Sequence, residues 1–278
     1  ESRKINYNNL LYSIIFSRNL NTKNSLRLNI SRVIYRPSIN MLSRFYNEQD
    51  INTIKIGNDK LKPEIQNIFR LSYNTTFSIF DLNISNTFKI TSDEMNPFFS
   101  ENDNLTIREF INIDKKLTYR PSIDLSFSKG NLYNQFGLSY DLFKYKGIDH
   151  LISNPSKPFN SLSMNYSAGY DFKQKWALEA NVMYESGINS FQTKMKGYIY
   201  ADISISKEIK KFRVSLEYID AFNRSSNFIN TLYLSKKYHQ QTLYNSNIIR
   251  AKIAYSFGKD FNVRNSRNIK NDDIKNIN

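Results

Sequence analysis

The chain has no cysteine, which excludes disulfides and thiolate chemistry. That absence fits a cytoplasmic or an envelope compartment equally. Histidine is almost missing as well: His150 and His239 both lie in long polar connections. Asp149 adjoins His150, yet nucleophilic hydrolysis needs a base oriented by a third group, and sequence adjacency supplies no such geometry. Two lone histidines do not make a strong metal site, and no glycine-rich phosphate loop occurs. The chain therefore reads as a non-enzyme, with no catalytic residue, cofactor or metal. Long apolar runs are lacking too. Ile14-Ile15-Phe16 is typical of the longest, far short of the ~18 residues of a membrane helix. This leaves a β-barrel open, because a barrel strand needs only ~9–11 residues and shows every second one to lipid. Residue 1 is Glu, and Glu1-Ser2-Arg3-Lys4 leads toward a strand with neither an initiator Met nor the apolar core of an export signal. A processed chain or a fragment is expected.

Glycine and proline are sparse, at 8 and 6 residues, whereas 19 Tyr and 20 Phe carry most of the 14% aromatic content. Segments rich in these aromatics alternate with a period of two. Between Lys211 and Tyr218, Phe212, Val214, Leu216 and Tyr218 fall on one face; Lys211, Arg213, Ser215 and Glu217 fall on the other. Such alternation marks a strand with one apolar and one polar face. Eleven segments of this kind can be traced from Tyr7 to Phe257. Short turns are expected at Asn19 to Asn24, Thr75-Thr76, Lys129-Gly130-Asn131, Lys173-Gln174 and Lys207 to Ile209. Long connections are expected over 36–63, 92–104, 147–160, 187–192 and 220–246, and a polar, disordered tail over 259–278. The segment from Leu105 to Ser128 is the least regular: Pro121 suggests a bulge or a local break, and a turn at Asp114-Lys115-Lys116 would raise the count to twelve.

The packed inner face of a soluble β-sandwich would show the same alternation. Strict alternation of short turns with long connections favours an all-β, antiparallel, up-and-down transmembrane β-barrel over 1–258. Such barrels carry short turns on the periplasmic side, so an odd number of strands puts the two ends of this chain on opposite sides of the membrane. Phe172 and Trp176 flank one short turn, where an aromatic membrane-interface belt is expected. The charge balance, 39 basic against 25 acidic residues with a net charge of +14, could suggest nucleic acid. The basic residues Arg27, Arg120, Lys196, Arg213, Arg250 and Lys252 are instead spread over many segments beside Asp124, Asp141, Glu179, Asp202 and Glu217. Mixed charge on the polar faces fits a lumen wall and no nucleic-acid partner. Outer-membrane lipid, and lipopolysaccharide met by loop lysines, are the expected surroundings.

Three stretches carry a family resemblance. The first is Arg36-Pro37-Ser38, then Leu42, then Gly57-Asn58-Asp59-Lys60-Leu61-Lys62-Pro63-Glu64, closing in Leu71-Ser72-Tyr73. The second is Asp220-Ala221-Phe222-Asn223, and the third is Tyr255-Ser256-Phe257-Gly258. Together they resemble the C-terminal outer-membrane β-barrel domain of TonB-dependent receptors from Bacteroidetes, the group whose plug follows a carboxypeptidase-regulatory-like domain. Asp59 stands where that pattern has Pro, no Pro follows Leu42, and a tail follows Gly258. The resemblance implies a 22-stranded barrel of which this chain is the C-terminal half. It also implies a missing N-terminal barrel and plug segment, and energy supplied by the TonB complex through that segment. Uptake of an unidentified substrate across a Gram-negative outer membrane is then the expected function. The alternative is a structural or adhesive barrel whose extracellular loops bind a partner.

Overall fold

The computed structural model describes residues 8–43, 47–50, 53–102, 105–147, 159–189, 192–222, 227–233, 237–243 and 247–257. Eleven strands follow one another in a single antiparallel path. They are β1 (Tyr12–Asn19), β2 (Asn24–Tyr35), β3 (Glu64–Phe77), β4 (Phe80–Asn102), β5 (Leu105–Lys129) and β6 (Leu132–Lys146). The path continues through β7 (Phe159–Phe172), β8 (Trp176–Glu185), β9 (Tyr198–Ile209), β10 (Phe212–Ile219) and β11 (Ile248–Tyr255). Each strand pairs with its sequence neighbours, so β1 and β11 are the two edges. Among the described residues no helix is long and apolar enough to cross a membrane.

Short turns form at one end because the chain supplies residues that accept positive φ or local side-chain bonds. Asn21 Oδ1 accepts from the backbone N–H of Lys23 and Asn24, at 2.9 and 2.8 Å, and so closes the β1–β2 turn. Gly130 has φ +60°, and Gln174 and Lys175 have φ +64° and +62° in the β7–β8 turn. The turn expected at Thr75-Thr76 lies three residues on, at Ser78-Ile79, with Ser78 at φ +55°. Thr75 and Thr76 stay on the ladder opposite Leu82 and Asp81, and the rings of Phe77 and Phe80 stack 5.2 Å apart across the turn. The turn expected at Lys207 to Ile209 likewise shifts to Lys210-Lys211, because Lys207–Ile209 remains paired with β10.

At the other end several expected loops are strands. Residues 92–104 were expected as a loop, yet β4 runs on to Asn102, which pairs with Leu105. Polar side chains hide such a strand: beyond the lipid both faces meet water, so alternation is lost while backbone pairing continues. Lys115 and Lys116 pair with Ser92 and Thr91, so the alternative turn at Asp114-Lys115-Lys116 does not form and the path has eleven strands rather than twelve. Of the bulge or local break expected at Pro121, the local break is what forms. β5 keeps one register with β6 on either side of it, from Tyr119 opposite Leu142 to Ser122 opposite Ser139, and only the rungs between are missing. The 220–246 connection carries paired strands Asn227–Tyr233 and Lys237–Leu243, which join Ile188–Asn189 and Thr193–Met195 in a separate four-stranded sheet. The 36–63 connection holds a four-residue helix, Ile39–Leu42, and strands Asn47–Asp50 and Thr53–Lys55. The tail over 259–278 lies outside the described residues.

The two faces of the sheet differ in kind. Among the described residues the buried apolar side chains are only Leu61, Pro63, Ile113, Phe143, Tyr145 and Ala201, while Ile84, Phe88, Tyr119, Ile123 and Leu216 stand open on one face. Two aromatic rows bound that face. Phe77, Phe80 and Phe127 are register neighbours at the turn end; Phe69, Phe88 and Tyr119 are register neighbours farther along the same strands. From Phe80 to Phe88 is eight residues, or ~26 Å of strand at ~3.3 Å per residue. With a ~40° tilt the rows stand ~20 Å apart, comparable to the ~25 Å apolar band of a barrel in lipid. Ile84 lies midway between them on the apolar face, beside Asn83 on the polar face. In lipid bilayers, Ile84→Arg is expected to cost ~2–4 kcal/mol and Asn83→Arg little. Denaturant titration of the folded protein measures both; equal costs would remove the lipid-facing assignment.

Candidate functional site

The polar face is built from side chains two residues apart, so each strand contributes a column of donors and acceptors. Arg120 on β5 makes a two-pronged ion pair with Asp141 on β6, its Nε and Nη2 donating at 2.6 and 2.8 Å. Such forked geometry fixes both side chains. Ser85 and Ser122 share a 2.7 Å hydrogen bond, Asn83 donates to Asn74 at 2.6 Å, and Arg70 donates to Thr87 at 3.1 Å. An open groove of about 420 Å³ runs over these groups, with Asp124, Ser139 and Asn165 in its wall. Toward β11, Glu217 accepts from Arg250 and Lys252 at 2.6 and 2.7 Å, and Arg213 pairs with Glu208. Of the charges expected on one face, Arg120, Asp141, Arg213, Glu217, Arg250 and Lys252 are thus drawn into cross-strand pairs. Lys196 lies between strands. This surface can hold water and polar solutes.

Glycine makes room on this face at two points. A Cβ on Gly169 would meet the Tyr133 ring at 1.8 Å, and one on Gly137 would meet the Asn165 side chain at 2.3 Å. Both glycines let a longer cross-strand neighbour lie flat on the sheet.

The first motif stretch closes a clasp at the far end. Thr53–Lys55 runs parallel to Thr106–Arg108 of β5, and Ile56 N–H extends the ladder by donating to the Arg108 carbonyl at 3.0 Å. Asn58 Nδ2 donates to the Phe110 carbonyl at 2.9 Å, its Oδ1 accepts from Lys60 N–H at 2.9 Å, and its own N–H donates to the Met41 carbonyl at 2.7 Å. Lys62 N–H donates to Asn112 Oδ1 at 2.8 Å, while Asn112 Nδ2 returns bonds to the Lys62 and Asp93 carbonyls. Leu61 is 2% exposed, and Pro63 is buried beside it. Gly57 is obligatory, since a Cβ there would stand 2.0 Å from the Ser43 carbonyl oxygen. Glu64 then opens β3, and its Oε2 accepts from Met95 N–H at 3.2 Å. Ser38 starts the helix Ile39–Leu42, Arg36 is exposed and Pro37 half-buried.

The remaining expected positions are scattered. Asp220 is fully buried at φ +50°, where its N–H donates to Asp202 Oδ1 at 3.0 Å and the next N–H, of Ala221, to the Ala201 carbonyl at 2.7 Å. Phe222 and Phe257 are exposed; Asn223 and Gly258 lie outside the described residues. Phe172 and Trp176 are register partners beside the β7–β8 turn, both exposed, with Lys207 Nζ 4.7 Å from the Trp176 ring centre. His239 stands on the strand Lys237–Leu243 of the small sheet, and His150 is not among the described residues.

One cluster was not anticipated. Beyond the upper aromatic row, Phe143, Tyr145 and Ile113 are buried together on the polar side, with Phe98, Phe159 and Ile188 packed against them. Lys116 Nζ sits 4.8 and 5.1 Å from the Phe143 and Tyr145 ring centres and 2.8 Å from Glu94 Oε1. Burial pushes the Glu94 carboxyl above its usual range, although the Lys116 ammonium draws it down. The signal for this cluster was present. In β6 the apolar positions run Leu138, Tyr140, Leu142 and then change phase to Phe143 and Tyr145. Gln192, 6% exposed, is tied to the same region: it accepts from Phe99 N–H at 2.9 Å and donates to the Phe99 carbonyl at 2.8 Å.

An antiparallel meander with an apolar, aromatic-bounded face and a polar, ion-paired face is the wall of a transmembrane β-barrel. The outer membrane protein beta-barrel family matches residues 1–256, and the chain belongs to that family. It is an outer-membrane protein. Among solved structures, the copper transporter OprC aligns with a TM-score of 0.65 at 13% identity, over 89% of this chain and 40% of that one. The siderophore receptor PirA from Acinetobacter baumannii gives 0.61 at 14% identity, over 88% and 40%. The FrpB iron transporter from Neisseria meningitidis gives 0.58 at 17%, over 90% and 39%. At these identities the likeness is one of fold. The chain spans about two fifths of the length of these structures. Among curated proteins none matches.

The clasp yields a test. Leu61→Ala is expected to destabilise the 56–63 segment by ~2–5 kcal/mol through the cavity it leaves. Gly57→Ala should loosen the same segment by forcing the Ser43 backbone away. Limited proteolysis of the membrane-embedded protein should then cut both variants within 53–63 far faster than the unchanged protein, with the β-sheet circular dichroism retained.

Proposed function

We propose that the protein is barrel wall of a TonB-dependent outer-membrane receptor, of the Bacteroidetes type, that takes up a solute along its polar face. The observation that carries this reading is the ion-paired, hydrogen-bonded face around Arg120, Asp141, Ser85 and Ser122, set opposite an apolar face on the same strands. Support comes from the motif resemblance around Gly57 to Glu64 and from the likeness in fold to the copper transporter OprC, the FrpB iron transporter and the siderophore receptor PirA. Eleven strands are half of 22. β1 and β11 run in the same direction, so joining them through antiparallel seams takes an odd number of further strands. In hydrocarbon, open edges are costly, each unsatisfied backbone group by several kcal/mol. Those further strands, with a plug that contacts the TonB complex, are the implied partners. Phe172 and Trp176 belong to the turn-side interface belt. Lys144 and Lys146 are exposed on the side opposite the buried Phe143 and Tyr145, where they can meet lipopolysaccharide phosphates.

Uptake is tested with cells that carry or lack the protein, supplied with radiolabelled ferric siderophores or copper. Uptake is expected to need both the protein and an intact TonB complex. If instead loss of the protein changes cell adhesion and leaves uptake of every probe intact, the adhesive alternative replaces this one.

Orientation is tested separately. An epitope tag inserted at Ser226 should be labelled on intact cells, whereas a tag in the Lys173-Gln174 turn should need permeabilised cells. The reverse pattern would invert the assigned topology.

A further inference from the structure

The charges at the turn end of the sheet are sorted by sign. The five short turns, over 20–23, 78–79, 130–131, 173–175 and 210–211, contain five lysines and no acidic residue. The lysines are Lys23, Lys173, Lys175, Lys210 and Lys211, all exposed. The adjoining strand ends extend the pattern. Arg18 pairs with Leu26, Lys129 with Leu132 and Lys207 with Trp176, which puts all three cations on the apolar face. The acidic residues at the same level take the other face. Asp81 accepts from Thr76 and lines a polar cavity with Asn83 and Asp124, Glu208 pairs with Arg213, and Asp171 lies on the Tyr133 side with Gly169. Among the described residues, outward charge at this rim is therefore positive only.

Directly beside these cations stand the exposed rings of Phe77, Phe172, Trp176, Phe212 and Tyr255. Lys207 shows how close the two layers lie: its ammonium sits over the Trp176 ring, 4.7 Å from the ring centre. Aromatic rings settle at the headgroup boundary, and a lysine there reaches past them to the headgroups. A ring of ammonium groups held at that depth matches the phosphodiester of an anionic phospholipid.

We infer that the turn end is a basic collar that binds anionic glycerophospholipids of the periplasmic leaflet. The collar selects them over zwitterionic lipids by charge. It also holds the barrel at a set depth, since the cations cannot enter hydrocarbon and the rings cannot leave it. This inference rests on the orientation proposed above, which the tag experiment decides independently of lipid composition.

The probe is a nanodisc of equal parts phosphatidylglycerol and phosphatidylcholine, with lipids retained by the released protein counted by native mass spectrometry. Phosphatidylglycerol should outnumber phosphatidylcholine ~2–5-fold among the retained lipids. The variant Lys129→Gln/Lys175→Gln/Lys207→Gln/Lys211→Gln should return the ratio to that of the bulk, while Lys144→Gln/Lys146→Gln at the far end should leave it enriched. Retained lipid at the bulk ratio, enrichment that survives in the fourfold variant, or enrichment lost only in the far-end variant would each overturn the collar. Should the fourfold variant fail to fold, ~0.5 M salt on the unchanged protein decides, since screening must remove a headgroup preference of this origin.

Discussion

Everything in this structure follows from the need to satisfy every backbone N–H and C=O without water. In hydrocarbon an extended chain can do so only by pairing with neighbours on both sides. The unbroken sequence from β1 to β11 is the response, each strand bonded to the strand before and after it. The constraint explains why the turns are so short and why their residues accept φ values near +60°. It also explains why Pro121, which cannot donate, removes rungs toward β6 without disturbing the register. Only β1 and β11 lack a second neighbour in the path, and it is there that residues on both faces are exposed.

Once the ladder is in place, side chains are sorted by what each face meets. Between the two aromatic rows one face meets lipid, so it carries Ile84, Ile123 and their neighbours. The other gathers charges, which are costly alone and become tolerable as the Arg120–Asp141 and Arg250–Glu217 pairs. Above the upper row the sorting reverses. There the outward face carries Lys144 and Lys146, and the inward face packs Phe143 and Tyr145 into a small core. The first motif stretch belongs to this upper region and serves architecture: Gly57, Asn58 and Leu61 lash the 53–63 segment to β5.

The sequence alone determined the alternating strands of the path, the polarity of each face within the membrane, and three of the five short turns near their true places; eleven strands rather than twelve was settled by the pairing of Lys115 and Lys116 with β4. It could do so because alternation is a local signal, imposed wherever one side of a strand meets lipid and the other does not. The Ser78-Ile79 and Lys210-Lys211 turns were each displaced along the chain, since polar residues at a strand end look like a turn until their partners are known. The extension of β4 past Thr91, the parallel strand Thr53–Lys55 and the small sheet were decided only by tertiary structure. No face there meets lipid, so the alternation of apolar and polar positions does not survive in the residues themselves. The contacts that shape that region span 52 residues from Asn58 to Phe110 and 93 from Gln192 to Phe99. A backbone carbonyl looks the same from any residue, so which one an amide side chain finds is settled by the folded sheet.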